Sequence, residues 1–275
     1  MRGLNFGTAG IPLEVPGKRT TLSGIRQVKR LGLSSMELEF VRSININEET
    51  APQVKKAAKE NDVVLTCHAP YFINLNSDEK AKYHASIYRI VKSAYITHLC
   101  GGYSTCFHAG FYMKQDPKKV YARIKEAVTL IVKELQEKGV KLWIRPETTG
   151  KETQFGNLNE AILLSKEVEQ VLPCIDFSHL HARSNGKYNS YNETTEVLSK
   201  VEKELGREAL DNMHIHLSGI AYGGKGEKHH LILKESDLNY PEILKAWREF
   251  KLKGVVICES PNIEGDALVL KKEYG

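Results

Sequence analysis

Apolar positions along this chain come in two rhythms. Short runs rich in β-branched, aromatic and sulfur-bearing residues alternate with longer stretches in which apolar positions recur every three or four residues. The short runs, each predicting a strand, are Leu4–Gly10, Met36–Val41, Val63–Pro70, Tyr103–Gly110, Lys141–Thr148, Leu172–His179, Asn212–Ser218 and Gly254–Pro261. Between Asp116 and Gly139, the positions Val120, Ile124, Ala127, Val128, Ile131, Val132 and Leu135 form one apolar stripe and predict a helix. Asp116-Pro117 suits its N-cap and first turn, and Gly139 its left-handed C-cap. Leu22 to Leu31 before Gly32, Ile87 to Ala94 before Gly101, and Leu198 to Leu205 before Gly206 repeat the same grammar.

Eight strand–helix units at intervals of about 30–40 residues predict a closed (β/α)8 TIM barrel, one α/β domain over residues 1–275. An open, doubly wound sheet is the alternative, but it gathers its ligands at one switch point. Neither a GxGxxG turn nor a phosphate-loop lysine motif is present. The longest connection, 219–240, carries Gly223, Gly224, Gly226, two lysines and the His229-His230 pair, and its length marks it as functional.

Composition changes this picture little. A hydrophobic share of 41% suffices for a sizeable core, and a net charge of +5 permits an anionic partner without requiring one. The five cysteines contain no C-x-x-C pair, and four of them lie in the strand runs, which predicts buried free thiols in a reducing compartment. No apolar span approaches the ~18 residues of a membrane helix, and no charged-then-apolar leader opens the chain. A cytoplasmic protein without membrane contact is expected.

Candidate chemistry sits at the ends of the strand runs. His68, His108, Glu147, Asp176, His179, His216 and Glu259 fall at or just beyond six of them, and Glu227 and His229 lie on the long seventh connection. Core packing gives no reason to place acids at one rim of a barrel. Glu147, Asp176, His216 and Glu259 alone would suit a single Mn²⁺- or Mg²⁺-type ion and a sugar isomerase or epimerase. The added imidazoles favour zinc, and nine donors with a bridging carboxylate match a cluster of about three ions, manganese at one site being admissible. Such clusters serve phosphate-ester hydrolysis.

Several stretches resemble the endonuclease IV family of abasic-site DNA repair enzymes. They are Cys67-His68-Ala69-Pro70-Tyr71, Phe107-His108-Ala109-Gly110, Pro146-Glu147-Thr148-Thr149-Gly150, Asp176-Phe177-Ser178-His179, His216-Leu217-Ser218, Glu227-Lys228-His229-His230 and Glu259-Ser260-Pro261-Asn262, in the family's order. The resemblance implies one zinc on His68, His108 and Glu147. A second would sit on bridging Glu147 with Asp176, His216 and Glu259, and a third on His179, Glu227 and His229. It implies hydrolysis of the phosphodiester 5′ to an abasic site in double-stranded DNA, with Glu147 and Glu259 catalytic and Glu259 orienting the attacking hydroxide. Tyr71 and Arg42 are the expected DNA contacts, and a monomer with no obligate protein partner is the default. The family's aspartate is Glu227 here, its glutamine-glycine after Gly150 is Lys151-Glu152, the first loop, Gly7–Pro12, lacks its double glycine, and the second, after Arg42, lacks its asparagine-proline-arginine-tryptophan-like DNA-contacting stretch. A metal-folded but inactive binder of damaged DNA is the third class that the sequence admits.

Overall fold

Each of the eight apolar runs becomes a parallel strand, shorter than its run. In the computed structural model, which describes Met1 and residues 3–275, the barrel strands are β1 (Leu4–Ala9), β2 (Ser35–Glu39), β3 (Val64–His68) and β4 (Ser104–Phe107). They continue as β5 (Trp143–Pro146), β6 (Cys174–Asp176), β7 (Met213–Leu217) and β8 (Gly254–Cys258). Hydrogen-bonded neighbours follow the order β5-β4-β3-β2-β1-β8-β7-β6. Parallel bridges Ile144–Val171 and Glu147–Cys174 join the two ends, so the sheet closes and the doubly wound alternative falls away. The opposite, N-terminal end is plugged by buried Arg145, which donates to the carbonyls of Pro173 (2.8 Å) and Asn212.

The helix between strands four and five, Pro117–Glu137, buries the seven residues of the apolar stripe read from the sequence. Asp116 caps it, its carboxylate accepting the amides of Lys118 and Lys119 at 3.0 and 3.1 Å. Gly139 turns the chain out of it at φ +69°, a conformation that costs glycine little. Strand and helix faces pack together into a dry layer around the barrel. Trp247, for example, is wholly buried with its ring 5.3 Å from that of Phe177. All five cysteines are buried and free.

Two expectations are corrected. The run Leu172–His179 is a strand only over Cys174–Asp176, after which a short helix (Phe177–Arg183) begins. Asp176 starts it, its side chain accepting the His179 amide at 2.7 Å, so a local cap overrides the apolar pattern. The 219–240 connection is also no open loop. Gly219–Gly223 and Gly226–Leu231 pair as an antiparallel hairpin over the barrel mouth, followed by a 3-10 turn at Leu233–Glu235.

Candidate metal centre

Because side chains alternate along a strand, register decides which of them share the barrel mouth. β6 and β7 pair Asp176 with His216, and β7 and β8 pair His216 with Ile257, two residues before Glu259. His68 ends β3, and Glu147 follows β5. Glu147 is the hub. Its Oε1 lies 3.3 Å from His108 Nε2, 3.1 Å from His179 Nδ1 and 3.4 Å from His216 Nδ1, while Oε2 lies 3.2 Å from His68 Nε2. Glu259 Oε2 is 3.5 Å from His216 Nδ1, and Asp176 Oδ2 is 3.2 Å from His179 Nδ1.

Three donor sets meet at the rim, each with its ligating atoms within 4.8 Å of one another: His68, His108 and Glu147; Glu147, Asp176, His216 and Glu259; His179, Glu227 and His230. Eight of the nine expected ligands therefore converge. His229 does not. It is exposed, and its neighbour His230 takes the place at the third set. The cause is a bulge in the hairpin: Tyr222 pairs with Glu227, Ala221 with His229 and Ile220 with His230, leaving Lys228 as the extra residue. Straight alternation would put Glu227 and His229 on one face. The extra residue puts Glu227 and His230 there instead.

Local backbone makes room for this third set. A Cβ at Gly150 would stand 2.6 Å from Glu227 Cβ and 3.0 Å from His179 Cδ2, so only glycine admits both side chains. The Glu227 amide is held by the Gly150 carbonyl at 2.9 Å.

Several features fit bound cations. Both oxygens of Glu147, Asp176 Oδ2, His216 Nδ1 and Glu259 Oε2 are buried without a hydrogen-bond partner, a costly arrangement unless something else satisfies them. Ligands 2.0–2.1 Å from a shared tetrahedral ion stand about 3.3–3.4 Å apart, and the contacts within the sets run from 3.2 to 3.6 Å. The rings are also tethered from outside: His68 Nδ1 is 2.7 Å from the Ala69 carbonyl, His179 Nδ1 3.0 Å from that of Thr148, and His230 Nδ1 3.1 Å from that of Glu259. A ring nitrogen that donates to a carbonyl leaves the other as a lone pair for a ligand.

Charge follows the same logic. Burial opposes the ionisation of Glu147, yet His108 and His216 hold it well below the usual carboxylate range. Burial likewise disfavours a charged His68, but Glu147 outweighs it and pushes the imidazole up to about 10. The carboxylates call for positive charge at this rim, which protons or cations supply. Burial raises Glu259 despite the pull of His216.

The mouth opens on a cavity of about 250 Å³ lined by His68, His108, His179, Glu227, His230 and Glu259, with Lys151 and Tyr71 at its edge. Larger clefts, such as one of about 550 Å³ bordered by Tyr103, Trp143 and Gln170, lack convergent donors. Tyr71 is 57% exposed with its ring 5.3 Å from that of His68. Arg42 is exposed on the loop after β2, away from Glu37, which is buried against two imidazoles. The residues not anticipated are His230, Glu37 and Glu39, the last pushed up to about 8 by burial and by Glu37. Alternation of acids in Met36-Glu37-Leu38-Glu39 was the available signal for two of them, since it sends both carboxylates into the barrel.

Known proteins place the barrel in a lineage. A family profile described as xylose isomerase-like TIM barrel matches residues 25–273. An uncharacterized protein of Methanocaldococcus jannaschii is 44% identical over 98% of this chain and 97% of its own length. A probable endonuclease 4 of Mycoplasma pneumoniae is 22% identical over 72% of this chain and 68% of its own. Among solved structures, endonuclease IV of Thermus thermophilus superposes with a TM-score of 0.73 at 18% identity, covering 97% of each chain. A D-tagatose 3-epimerase-like protein does so with 0.74 at 16% identity, covering 97% of this chain and 96% of its own. At such identities the structural likeness concerns the fold. Among the described residues no helix is long and apolar enough to cross a membrane.

Proposed function

This chain belongs to the xylose isomerase-like TIM barrel family, and from that premise we propose that it is a zinc-dependent endonuclease cleaving DNA 5′ to abasic sites. One observation carries the reading: the rim offers more donors than one ion needs, in three sets of which two share the Glu147 carboxylate. An isomerase of this lineage would require only Glu147, Asp176, His216 and Glu259, leaving His68, His108, His179, Glu227 and His230 without employment. The sequence relationship to probable endonucleases 4 supports the same choice.

In this reading Glu147 with His68 and His108 would hold one ion, Glu147 with Asp176, His216 and Glu259 a second, and His179, Glu227 and His230 a third. Zinc held there would supply an ionised water at neutral pH and positive charge against the scissile phosphate. The chain's own groups do the rest. Glu259, raised by burial, accepts or holds a proton beside the attacking oxygen. Lys151 at the cavity edge faces an anionic backbone, where the family has glutamine. The cavity, at about 250 Å³, is smaller than pockets for drug-sized ligands and suits a sugar-phosphate that has lost its base. Extruding such a nucleotide costs less than breaking an intact pair, which supplies selectivity. Tyr71, exposed above the histidines, is the aromatic available to fill the vacated stack.

The test is a duplex oligonucleotide carrying one tetrahydrofuran abasic analogue, incubated with the zinc-loaded chain. A nick 5′ to the analogue that leaves a 3′-hydroxyl, disappears with a strong chelator and returns with zinc is the expected result. An intact duplex with fully zinc-loaded protein overturns the proposal. A single bound equivalent of manganese or magnesium, with turnover of a ketose, would mark the epimerase reading instead.

A further inference from the structure

Beneath the metal centre the barrel interior holds polar groups that the reaction above leaves unused. Glu37, on β2, is wholly buried. Its Oε1 lies 3.0 Å from His216 Nε2 and its Oε2 3.1 Å from His214 Nε2. His214 and His216 are two apart on β7 and so share the inward face, and His214 Nδ1 meets Ser104 Oγ at 3.0 Å. The opposite nitrogen of His216, Nδ1, faces Glu147 and Glu259 at the rim, 3.4 and 3.5 Å away.

The other tethered rings of the centre lean on backbone carbonyls, whereas His216 leans on a carboxylate. An ionised carboxylate only accepts, so the proton of a neutral His216 must sit on Nε2, leaving the lone pair of Nδ1 directed at the rim. We infer that Glu37 is a positioning residue for the metal centre: it fixes the Nε2–H tautomer and orientation of His216 and lends negative charge that makes Nδ1 a stronger ligand. The inference rests on the metal-binding reading above. A carboxylate behind a ligating histidine orients the ring and raises its basicity, and losing such a partner costs about 10- to 100-fold in metal affinity.

A competing use of the same space is a separate buried cation site. Cys106, Cys174, His214 and His216 offer four donors within 4.8 Å of one another. The distances favour the anchor. Glu37 is nearer His216 Nε2 than Cys106 Sγ is, at 3.0 against 3.8 Å, and the Cys106 thiol has two closer acceptors for its proton, the Cys67 carbonyl at 3.4 Å and Glu37 Oε2 at 3.6 Å.

The experiment loads the full chain with cobalt(II) in three forms: wild type, Glu37→Gln and Cys174→Ala. Glutamine keeps the volume of Glu37 and one accepting oxygen, so a folded variant is expected, and circular dichroism with thermal unfolding checks it. In wild type, ¹⁵N NMR of the zinc-loaded chain should report His216 protonated on Nε2. In Glu37→Gln one cobalt equivalent should be lost to chelator at about 10-fold lower chelator concentration, with shifted visible bands. Cys174→Ala should change neither. Equal cobalt affinity and an unchanged spectrum in folded Glu37→Gln would overturn the inference. So would a near-ultraviolet thiolate-to-cobalt band that vanishes in Cys174→Ala, which would make the inner group a cation site. A wild-type chain that takes up neither cobalt nor zinc would instead sink the metal reading itself, and this one with it.

Discussion

Glu259 stands 3.5 Å from His216 Nδ1 with its Oε2 buried and unpartnered, and in the proposed reaction its charge orients the attacking oxygen. Glu259→Gln removes that charge with almost no change in surface. Cleavage should fall by about 10²–10⁴-fold, while affinity for abasic duplex, read by fluorescence anisotropy, stays close to wild type; cleavage at the wild-type rate would remove Glu259 from its role. The paired histidines on the hairpin give a sharper contrast. His230→Ala should remove about one zinc equivalent as measured by plasma mass spectrometry, because it takes a donor from the third set. His229→Ala, changing an exposed side chain on the other face, should leave the zinc count alone. The reverse pattern would mean that the bulge does not hold in solution. Both residues were visible in the sequence, but only pairing could tell them apart, since one extra residue in a strand inverts every facing beyond it.

At the scale of elements, Asp176 does two jobs with two oxygens. Oδ1 accepts the His179 amide and starts the short helix, while Oδ2 turns to the donor cluster at the rim, 3.2 Å from His179 Nδ1. The jobs are separable. Asp176→Asn retains a cap and should lose metal with little change in the melting temperature of the metal-free chain. Asp176→Ala should lose metal and, in addition, about 1 kcal/mol of stability, read as a drop of roughly 2–4 °C in the metal-free chain. Equal melting temperatures for the two variants would show that the cap contributes nothing. The same element explains why the run Leu172–His179 misled as a strand. Its apolar residues are continuous across the boundary, and the capping carboxylate, a local interaction, ends the strand inside it.

For the whole molecule the buried acids set a condition on stability. Glu147, Asp176 and Glu259 bring uncompensated oxygens into one low-dielectric rim, and the neighbouring imidazoles answer only part of that charge. Cations should therefore stabilise the folded barrel. At a free concentration about 100-fold above its Kd, one ion contributes about 2.7 kcal/mol, which corresponds to a rise of about 5 °C or more in melting temperature over the chelator-treated chain. Scanning calorimetry with zinc and with chelator measures it, and identical transitions would contradict the charge argument. Closure of the barrel through Ile144–Val171 and Glu147–Cys174 is what brings His68 and His108 from one side of the seam, and Asp176 and His216 from the other, around Glu147.

The amino-acid order by itself determined the eight strand–helix units, the stripe of the Pro117–Glu137 helix with its capping Asp116, and eight of the nine donors that meet at the rim, because periodicity and capping are local properties of a chain. Only the tertiary structure decided the rest. Choosing His230 over His229 required a bulge measured against a partner strand. Giving Glu37 to two imidazoles required knowing which face of β2 lies inside a closed ring. Facing and closure are relations between segments far apart in sequence, and no window along the chain contains them.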